Sequence, residues 1–265
     1  ATWSAARSFG LFDRGLVAPG QRADLVLLDD LETCAVNRVI RGGRVVTPES
    51  FAGRSAVSPV GLRSVKLHPV TAEDFAVPAN GSVQSVIGVL PGKIITAHLR
   101  LEVPAKDGRL VADPERDILK ICVFARHGTN QNVGRGFAQG FQFREGALAS
   151  SVGHDSHNIC VVGASDEDMA IAVNRLIELQ GGFVAVRNGK VVGELALPLA
   201  GLMSLEPFET VERHLRTLRA SVRDMGCPLA EPFLQLAFLP LPVIPHLKIT
   251  DRGMVDVDRF ELIAA

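Results

Sequence analysis

The chain has 265 residues, a formal net charge of −1 and 22% charged residues, so it lacks the basic surface that nucleic-acid binding requires. Hydrophobic residues make up 47% of the sequence, which suffices for a packed core. No stretch approaches the roughly 18 apolar residues of a membrane span, and the N-terminus has no basic and apolar leader. We therefore expect a globular, cytoplasmic protein that binds neither nucleic acid nor a membrane.

The first sixty residues predict short elements. Residues 1–8 resemble the last turns of a helix that Gly10 ends, as if the chain were a fragment of a longer protein. Apolar runs at 23–28, 35–40 and 44–47 predict strands. Three short strands bury too little surface to be stable alone, so we expect partner strands from elsewhere.

A second unit is predicted to follow a linker. Residues 61–82 continue a stretch that is rich in proline, serine and glycine, and we interpret them as that linker. Residues 83–89 and 94–103 flank the turn pair Pro91-Gly92 and predict a hairpin. The continuous apolar run 118–125 is typical of a central strand.

The clearest helix runs from Ser165 to Leu179. Ser165 is a good N-cap, Asp168 stands where its capping-box partner belongs, and Gly181-Gly182 ends the helix. The pair Asn188-Gly189 then predicts a tight hairpin between two apolar runs.

The remaining elements complete an α+β domain with a mixed sheet and packed helices. Apolar residues at steps of three and four predict a helix over 207–225. Three prolines make 233–244 an edge or irregular segment, and 248–256 has the composition of a turn.

The densest group of reactive side chains lies at 150–158, between two apolar runs. Of its residues, His154 and Asp155 are the candidates for catalysis, and His157 and Asn158 are candidates for substrate binding. Imidazole and carboxylate groups can bind a divalent metal, orient a substrate, or transfer protons near neutral pH. The alternative is a turn in which polar side chains bond only to the local backbone.

A second polar loop covers 126–136 and contains three glycines. His127 is a further candidate for substrate binding, and the loop can cradle an anion, although it lacks the lysine and hydroxyl end of a P-loop. The alternative is an ordinary surface loop. His98 lies on a predicted strand and is interpreted as a packed or surface residue, like the three other histidines at 68, 214 and 246.

Six segments together resemble the amidohydrolase superfamily and, within it, the bacterial adenine deaminases. Ala18-Pro19-Gly20 with the run ADLVLLD is shared widely across the superfamily. Five others are specific to the C-terminal region of adenine deaminases: PERDILKICVFARHG (114–128), GALASSVGHDSHNICVVG (146–163), DEDMAIAVNRLIELQGGF (166–183), LPLAGLMS (197–204) and LPVIPHLKITDRGMVDV (241–257).

The resemblance implies hydrolysis of adenine to hypoxanthine and ammonia by a water that a divalent metal, manganese or iron, activates. The metal ligands of the family lie in a (β/α)8 barrel and include a His-x-His pair. This chain contains no His-x-His, and it has no room for that barrel besides its own elements. No metal ligand is therefore mapped onto this chain.

The resemblance also implies the domain boundaries. Residues 1–9 correspond to the end of the last barrel helix, 10–60 to the C-terminal part of a β-sandwich, and 83–265 to the adenine deaminase C-terminal domain, with 61–82 as the linker. The implied partners are adenine, the missing barrel segment and further copies of the chain in a homo-oligomer.

Two other interpretations stay open. The chain can be a non-catalytic module that covers the barrel or mediates dimerisation, with the polar loop at 150–158 serving only as a turn. It can also belong to a relative that acts on another aminopurine.

Overall fold

The computed structural model describes residues 2–53 and 58–263, which form two compact units, Ala1–Ser58 and Pro59–Ala265. The smaller unit contains helix α1 (Trp3–Ser8), a single 3-10 turn (Pro48–Phe51) and an antiparallel sheet of β1 (Leu25–Asp30), β2 (Ala35–Arg41) and β3 (Arg44–Val45). All three predicted strands are present. The sandwich to which the resemblance assigns them stays a prediction.

The larger unit begins with short elements and an edge hairpin. Its first strands are β4 (Val77–Pro78), β5 (Val83–Val89), β6 (Thr96–Glu102), β7 (Ala105–Lys106) and β8 (Arg109–Leu110), with 3-10 turns at Ala72–Phe75 and Pro114–Arg116. The middle contains β9 (Leu119–Phe124), β10 (Val133–Gln139), β11 (Ala147–Ser150), β12 (Ile159–Gly163), α2 (Asp166–Leu179), β13 (Gly182–Arg187) and β14 (Lys190–Ala196). The end contains α3 (Phe208–Asp224), α4 (Pro232–Ala237), β15 (Leu247–Thr250), β16 (Gly253–Asp256) and β17 (Glu261–Ile263).

An eight-stranded sheet organises this unit in the order β14-β13-β11-β12-β9-β10-β5-β6. All neighbours are antiparallel except β10 and β5, which are parallel, so the predicted mixed sheet with packed helices is confirmed. Strand β9 is fully buried because both faces of the sheet are covered.

The two faces pack against different helices. On β9, Ile121 and Val123 belong to the core that contains α3 and α4. Cys122 and Phe124, which alternate with them, belong to the core that contains α2. Because both faces of β9 are buried, no position along it faces solvent, and this explains the continuous apolar run in the sequence.

Helix α2 confirms its predicted bounds but corrects one predicted contact. The hydroxyl of Ser165 accepts a hydrogen bond from the Asp168 amide at 3.3 Å, as an N-cap does. The Asp168 carboxylate, however, does not reach back to the cap. It accepts the amides of Asn188 at 3.1 Å and Gly189 at 2.7 Å, so it holds the β13–β14 turn against the helix.

The predicted linker 61–82 is wrong in most of its length. Phe75 and Val77 are buried in the core, and Val70 forms two hydrogen bonds of 2.8 Å with the side-chain amide of Asn174 on α2. Proline and serine made this segment resemble a linker, but its apolar side chains cover the α2 face of the sheet. The larger unit therefore starts near Pro59 and not at residue 83.

Two C-terminal expectations also change. The segment 233–244 contains the last five residues of α4, which starts on Pro232, where a missing amide hydrogen costs nothing. The predicted turn at 248–256 is a hairpin of β15 and β16. Within the described residues, no helix is both long and apolar enough to cross a membrane.

Candidate functional site

The loop that connects β11 and β12 carries the sequence-predicted site, and its first residues are structural. The hydroxyl of Ser151 donates to the Gly201 carbonyl at 2.7 Å and accepts the Gly182 amide at 2.7 Å. The Ser150 hydroxyl accepts the Val152 amide at 3.0 Å. Both serines are fully buried, so they fix the start of the loop and are not available to a ligand.

Arg126 fixes the other end of the loop from the interior of the protein. Its side chain follows β9 directly and is only 1% exposed. The guanidinium donates to the carbonyl of His157, to the carbonyl and hydroxyl of Ser64 at 3.2 and 3.0 Å, and to the Ala200 carbonyl at 2.9 Å. Gly201 makes room for it, since a Cβ there would lie 2.8 Å from the guanidinium nitrogens. A single buried cation thus joins three segments that are distant in sequence.

The sequence predicts a different role for Arg126, in a flexible polar loop that either cradles an anion or is an ordinary surface loop. The structure shows that its donors are occupied by protein oxygens, so Arg126 is not free to hold an anion. Burial lowers its pKa from the ordinary arginine value. An arginine that directly follows a fully buried strand was the available signal, since such a position requires an internal set of acceptors.

Asn158 is buried and His157 is half-buried at the end of the loop. The side-chain oxygen of Asn158 accepts the Arg126 amide at 3.3 Å, so Asn158 joins β9 to the loop. His157 adopts a left-handed backbone at φ +49° and donates its amide to the Gly153 carbonyl at 3.0 Å. This contact gives Asn158 a structural role, and its contact with a substrate stays a prediction.

The His157 ring is the unusual feature of the loop. Its Nδ1 is buried and has no hydrogen-bond partner among the described residues. Burial lowers the pKa of His157, and the positive charge of Arg126 lowers it further, so the imidazole is neutral at pH 7. Buried polar atoms in folded proteins nearly always form a hydrogen bond, so we expect a hydrogen-bond partner for this nitrogen from outside the described residues.

His154 and Asp155 are on the exposed side of the loop. The His154 ring stacks on Phe238 with centroids 4.7 Å apart and planes at 22°. Its amide donates to the Ala237 carbonyl at 2.9 Å, so the loop is also held by the end of α4. The His154 Nδ1 and the Asp155 carboxylate are 3.9 Å apart, and both side chains are more than half exposed. A ligand can reach both groups from solvent.

His127 completes the group of imidazoles, since its Nε2 lies 2.7 Å from the Ser156 carbonyl oxygen. The charges of His154 and His127 both act on the pKa of His157, which places the three rings in one neighbourhood. Within residues 2–53 and 58–263, no group of three histidine, cysteine or acidic side chains is arranged to hold a metal ion.

A cleft of about 540 Å³ lies between residues 66–70 and 128–133. Phe124 and Ala125 line it together with the polar side chains of Asn130 and Gln131. The predicted polar loop at 126–136 therefore does border a concave surface, although its last four residues belong to β10.

Comparisons with known proteins find similar sequences over nearly the whole chain. The model of the "Adenine deaminase C-terminal domain" family matches residues 93–261. The chain is 63% identical over 264 residues to an adenine deaminase of Methylobacterium nodulans and 62% identical over 263 residues to adenine deaminase 1 of Rhizobium meliloti. An adenine deaminase of Gluconobacter oxydans is 63% identical over 258 residues.

These alignments cover 97–99% of this chain but only 46% of each relative, so the chain spans about half the length of the curated relatives it matches. The part it matches includes the C-terminal domain. On this evidence the chain belongs to the adenine deaminase family and corresponds to its C-terminal part.

Proposed function

We propose that the chain is the C-terminal part of an enzyme that hydrolyses adenine to hypoxanthine and ammonia. The observation that carries this proposal is an identity of about 60% with proteins named adenine deaminase over nearly all of the chain. The family resemblance implies manganese or iron as the metal. The described residues offer no ligand set that fits such an ion, so we assign its ligands to the barrel segment expected in the longer protein.

Within that enzyme, the loop 154–158 is proposed to contact adenine or the segment that closes over it. The support is the Nδ1 of His157, a buried polar atom that has no partner among the described residues, on a neutral ring that has one donor and one acceptor. His154 and Asp155 are exposed beside it and can reach a polar group of the same ligand. Arg126 is proposed to position His157, since its guanidinium holds the carbonyl of that residue.

Steady-state kinetics of the full-length enzyme tests this role. His157→Ala and His154→Ala are expected to raise KM for adenine or lower kcat at least tenfold, while the bound metal per subunit stays constant. His214→Ala, on the exposed surface of α3, is the matched control and is expected to behave like the wild type. Wild-type kcat and KM in both loop variants would refute a role of the loop in the reaction.

One observation favours a second role as an association module. In the small unit, the β1–β2 sheet exposes Val26, Val36 and Val39 at 59%, 58% and 39%. An uncovered sheet with these side chains favours contact with further strands or with another copy of the chain. Light scattering of the chain tests this proposal. Self-association is expected, and a monomer at high protein concentration would refute it.

A further inference from the structure

A group of reactive side chains lies outside the loop described above, at the edge of the large sheet. Ser85 on β5 is paired with Arg100 on β6, and His98 lies two residues before Arg100 on the same strand. Directly opposed residues and residues two apart share one face of a sheet, so the three side chains point to the same side. Asp256 at the end of β16 lies against this face, where its carboxylate is 14% exposed.

The distances in this group are those of a nucleophile and its base. The His98 Nε2 is 3.0 Å from the Ser85 hydroxyl oxygen, and the His98 Nδ1 is 3.7 Å from an Asp256 carboxylate oxygen. The first distance is a hydrogen bond. The second is longer than one, but such contacts often shorten when a substrate binds.

The neighbours of the imidazole decide where its proton resides. Arg100 can only donate, and its Nη1 donates to the Ser85 oxygen at 3.2 Å. That oxygen keeps its own hydrogen to donate to the His98 Nε2. The Nδ1 then carries the ring proton and directs it to Asp256. This is the proton arrangement that activates a serine hydroxyl for attack.

The group borders two adjoining cavities of about 400 and 450 Å³, both lined by Ser85, Arg100 and Ile263. Arg135 lines the first cavity, and its guanidinium donates to the backbone carbonyls of Asp74 and Val133. Within the described residues, neither Arg100 nor Arg135 forms an ion pair with a carboxylate. The first cavity therefore offers uncompensated positive charge to a small anion, whereas the carboxylates of Asp256 and Glu261 also line the second.

We propose that Ser85, His98 and Asp256 form a second, hydrolytic site that cleaves small esters whose acid portion carries a negative charge. The Ser85 oxygen attacks the ester carbonyl, and its proton passes to His98. Arg100 stabilises the oxyanion of the tetrahedral intermediate. The C–O bond to the alcohol breaks, His98 protonates the departing alkoxide, and a water then hydrolyses the acyl-serine by the same route in reverse.

Arg135 sets the preference for an anionic substrate in this account, since it lines the same cavity and its charge is not neutralised by a carboxylate. The amino-acid sequence gives little sign of this site. His98 follows Ser85 by 13 residues, and Asp256 follows His98 by more than 150 residues. Only the sheet and the C-terminal hairpin bring the three side chains together. The proposal gives His98 a role beyond that of the packed or surface residue expected from the sequence.

Hydrolysis of mono-4-nitrophenyl glutarate and of 4-nitrophenyl acetate by the 265-residue chain tests the proposal. The glutarate ester is expected to be cleaved faster, with the rate lost in Ser85→Ala and lowered about 100-fold in His98→Gln. Arg135→Met is expected to raise KM for the glutarate ester and so to reduce its rate advantage over the acetate ester. Ser82→Ala, three residues away on the same edge, is the matched control.

Labelling with a fluorophosphonate supplies the second readout. The label is expected on Ser85 by peptide mass spectrometry, and on no residue in Ser85→Ala. Thermal melting shows whether each variant keeps the wild-type fold. An ester hydrolysis rate equal to the buffer rate, or one that persists in a folded Ser85→Ala variant, would overturn the proposal.

Discussion

Replacing Arg126 by methionine removes the buried cation that joins three segments of the larger unit. The guanidinium satisfies four oxygen atoms, of which three are backbone carbonyls. A buried acceptor without a partner costs about 1–3 kcal/mol, and part of this is offset because the wild type buries an uncompensated charge. We expect Arg126→Met to lower the free energy of unfolding by about 3 kcal/mol.

Urea unfolding and hydrogen exchange measure this effect. Arg126→Lys is expected to recover only part of the loss, since an ammonium cannot span the same four oxygens. Arg144→Met is the control, because Arg144 and its partner Glu115 are each 71% exposed and the expected change is below about 0.5 kcal/mol. Faster amide exchange is expected across residues 152–158. A loss below about 1 kcal/mol in Arg126→Met, with unchanged exchange in that loop, would refute the reasoning.

Three further predictions rest on buried groups. The Asp168 carboxylate accepts the amides of Asn188 and Gly189 with its two oxygens, and Asp168→Asn leaves only one acceptor oxygen. The variant is therefore expected to lower the free energy of unfolding by about 1–2 kcal/mol, measured as a lower urea midpoint. An unchanged midpoint would contradict this. Burial lowers the pKa of Lys248 to about 8, so between that pH and the ordinary lysine value the unfolded chain binds more protons and stability rises with pH. Urea unfolding is therefore expected to show the wild type gaining stability relative to Lys248→Met from about pH 8 to about pH 10, and a constant difference would refute this assignment. Ellman's reagent is expected to modify only Cys34 in the folded chain and all four thiols in denaturant, since the other three are buried; rapid reaction of a second thiol contradicts the fold.

Local sequence signals predicted local structure well. Ser165 and the glycine pair at 181–182 bounded α2, and Asn188-Gly189 placed the β13–β14 turn, because each signal acts within a few residues of itself. The run 118–125 identified the central strand because burial on both faces leaves only apolar positions.

Local sequence patterns do not predict contacts between distant segments. The partners of Arg126 lie 31 to 74 residues away, so nothing near it in the sequence shows that its charge is buried. The parallel pairing of β10 with β5 is equally non-local. The linker prediction for 61–82 failed because the covering role of Phe75 depends on the position of α2, which composition does not reveal.

Residues 150–158 include both features that the sequence predicted and contacts that it did not reveal. The polarity of 150–158 correctly indicated a loop between two strands, and His154 and Asp155 are accessible as expected of binding groups. Ser151 and Asn158 are also polar, but their side chains form hydrogen bonds with buried backbone groups. Those partners lie 30 or more residues away in the sequence.

Adenine turnover by the 265-residue chain alone, with added manganese or iron(II), tests the central claim most directly. We have proposed that the metal ligands lie outside this chain and that the loop 154–158 has an accessory role, so we expect no hypoxanthine above the protein-free control. Metal-dependent turnover that disappears in His154→Ala and His157→Ala would contradict it, because the reaction would then reside in these residues.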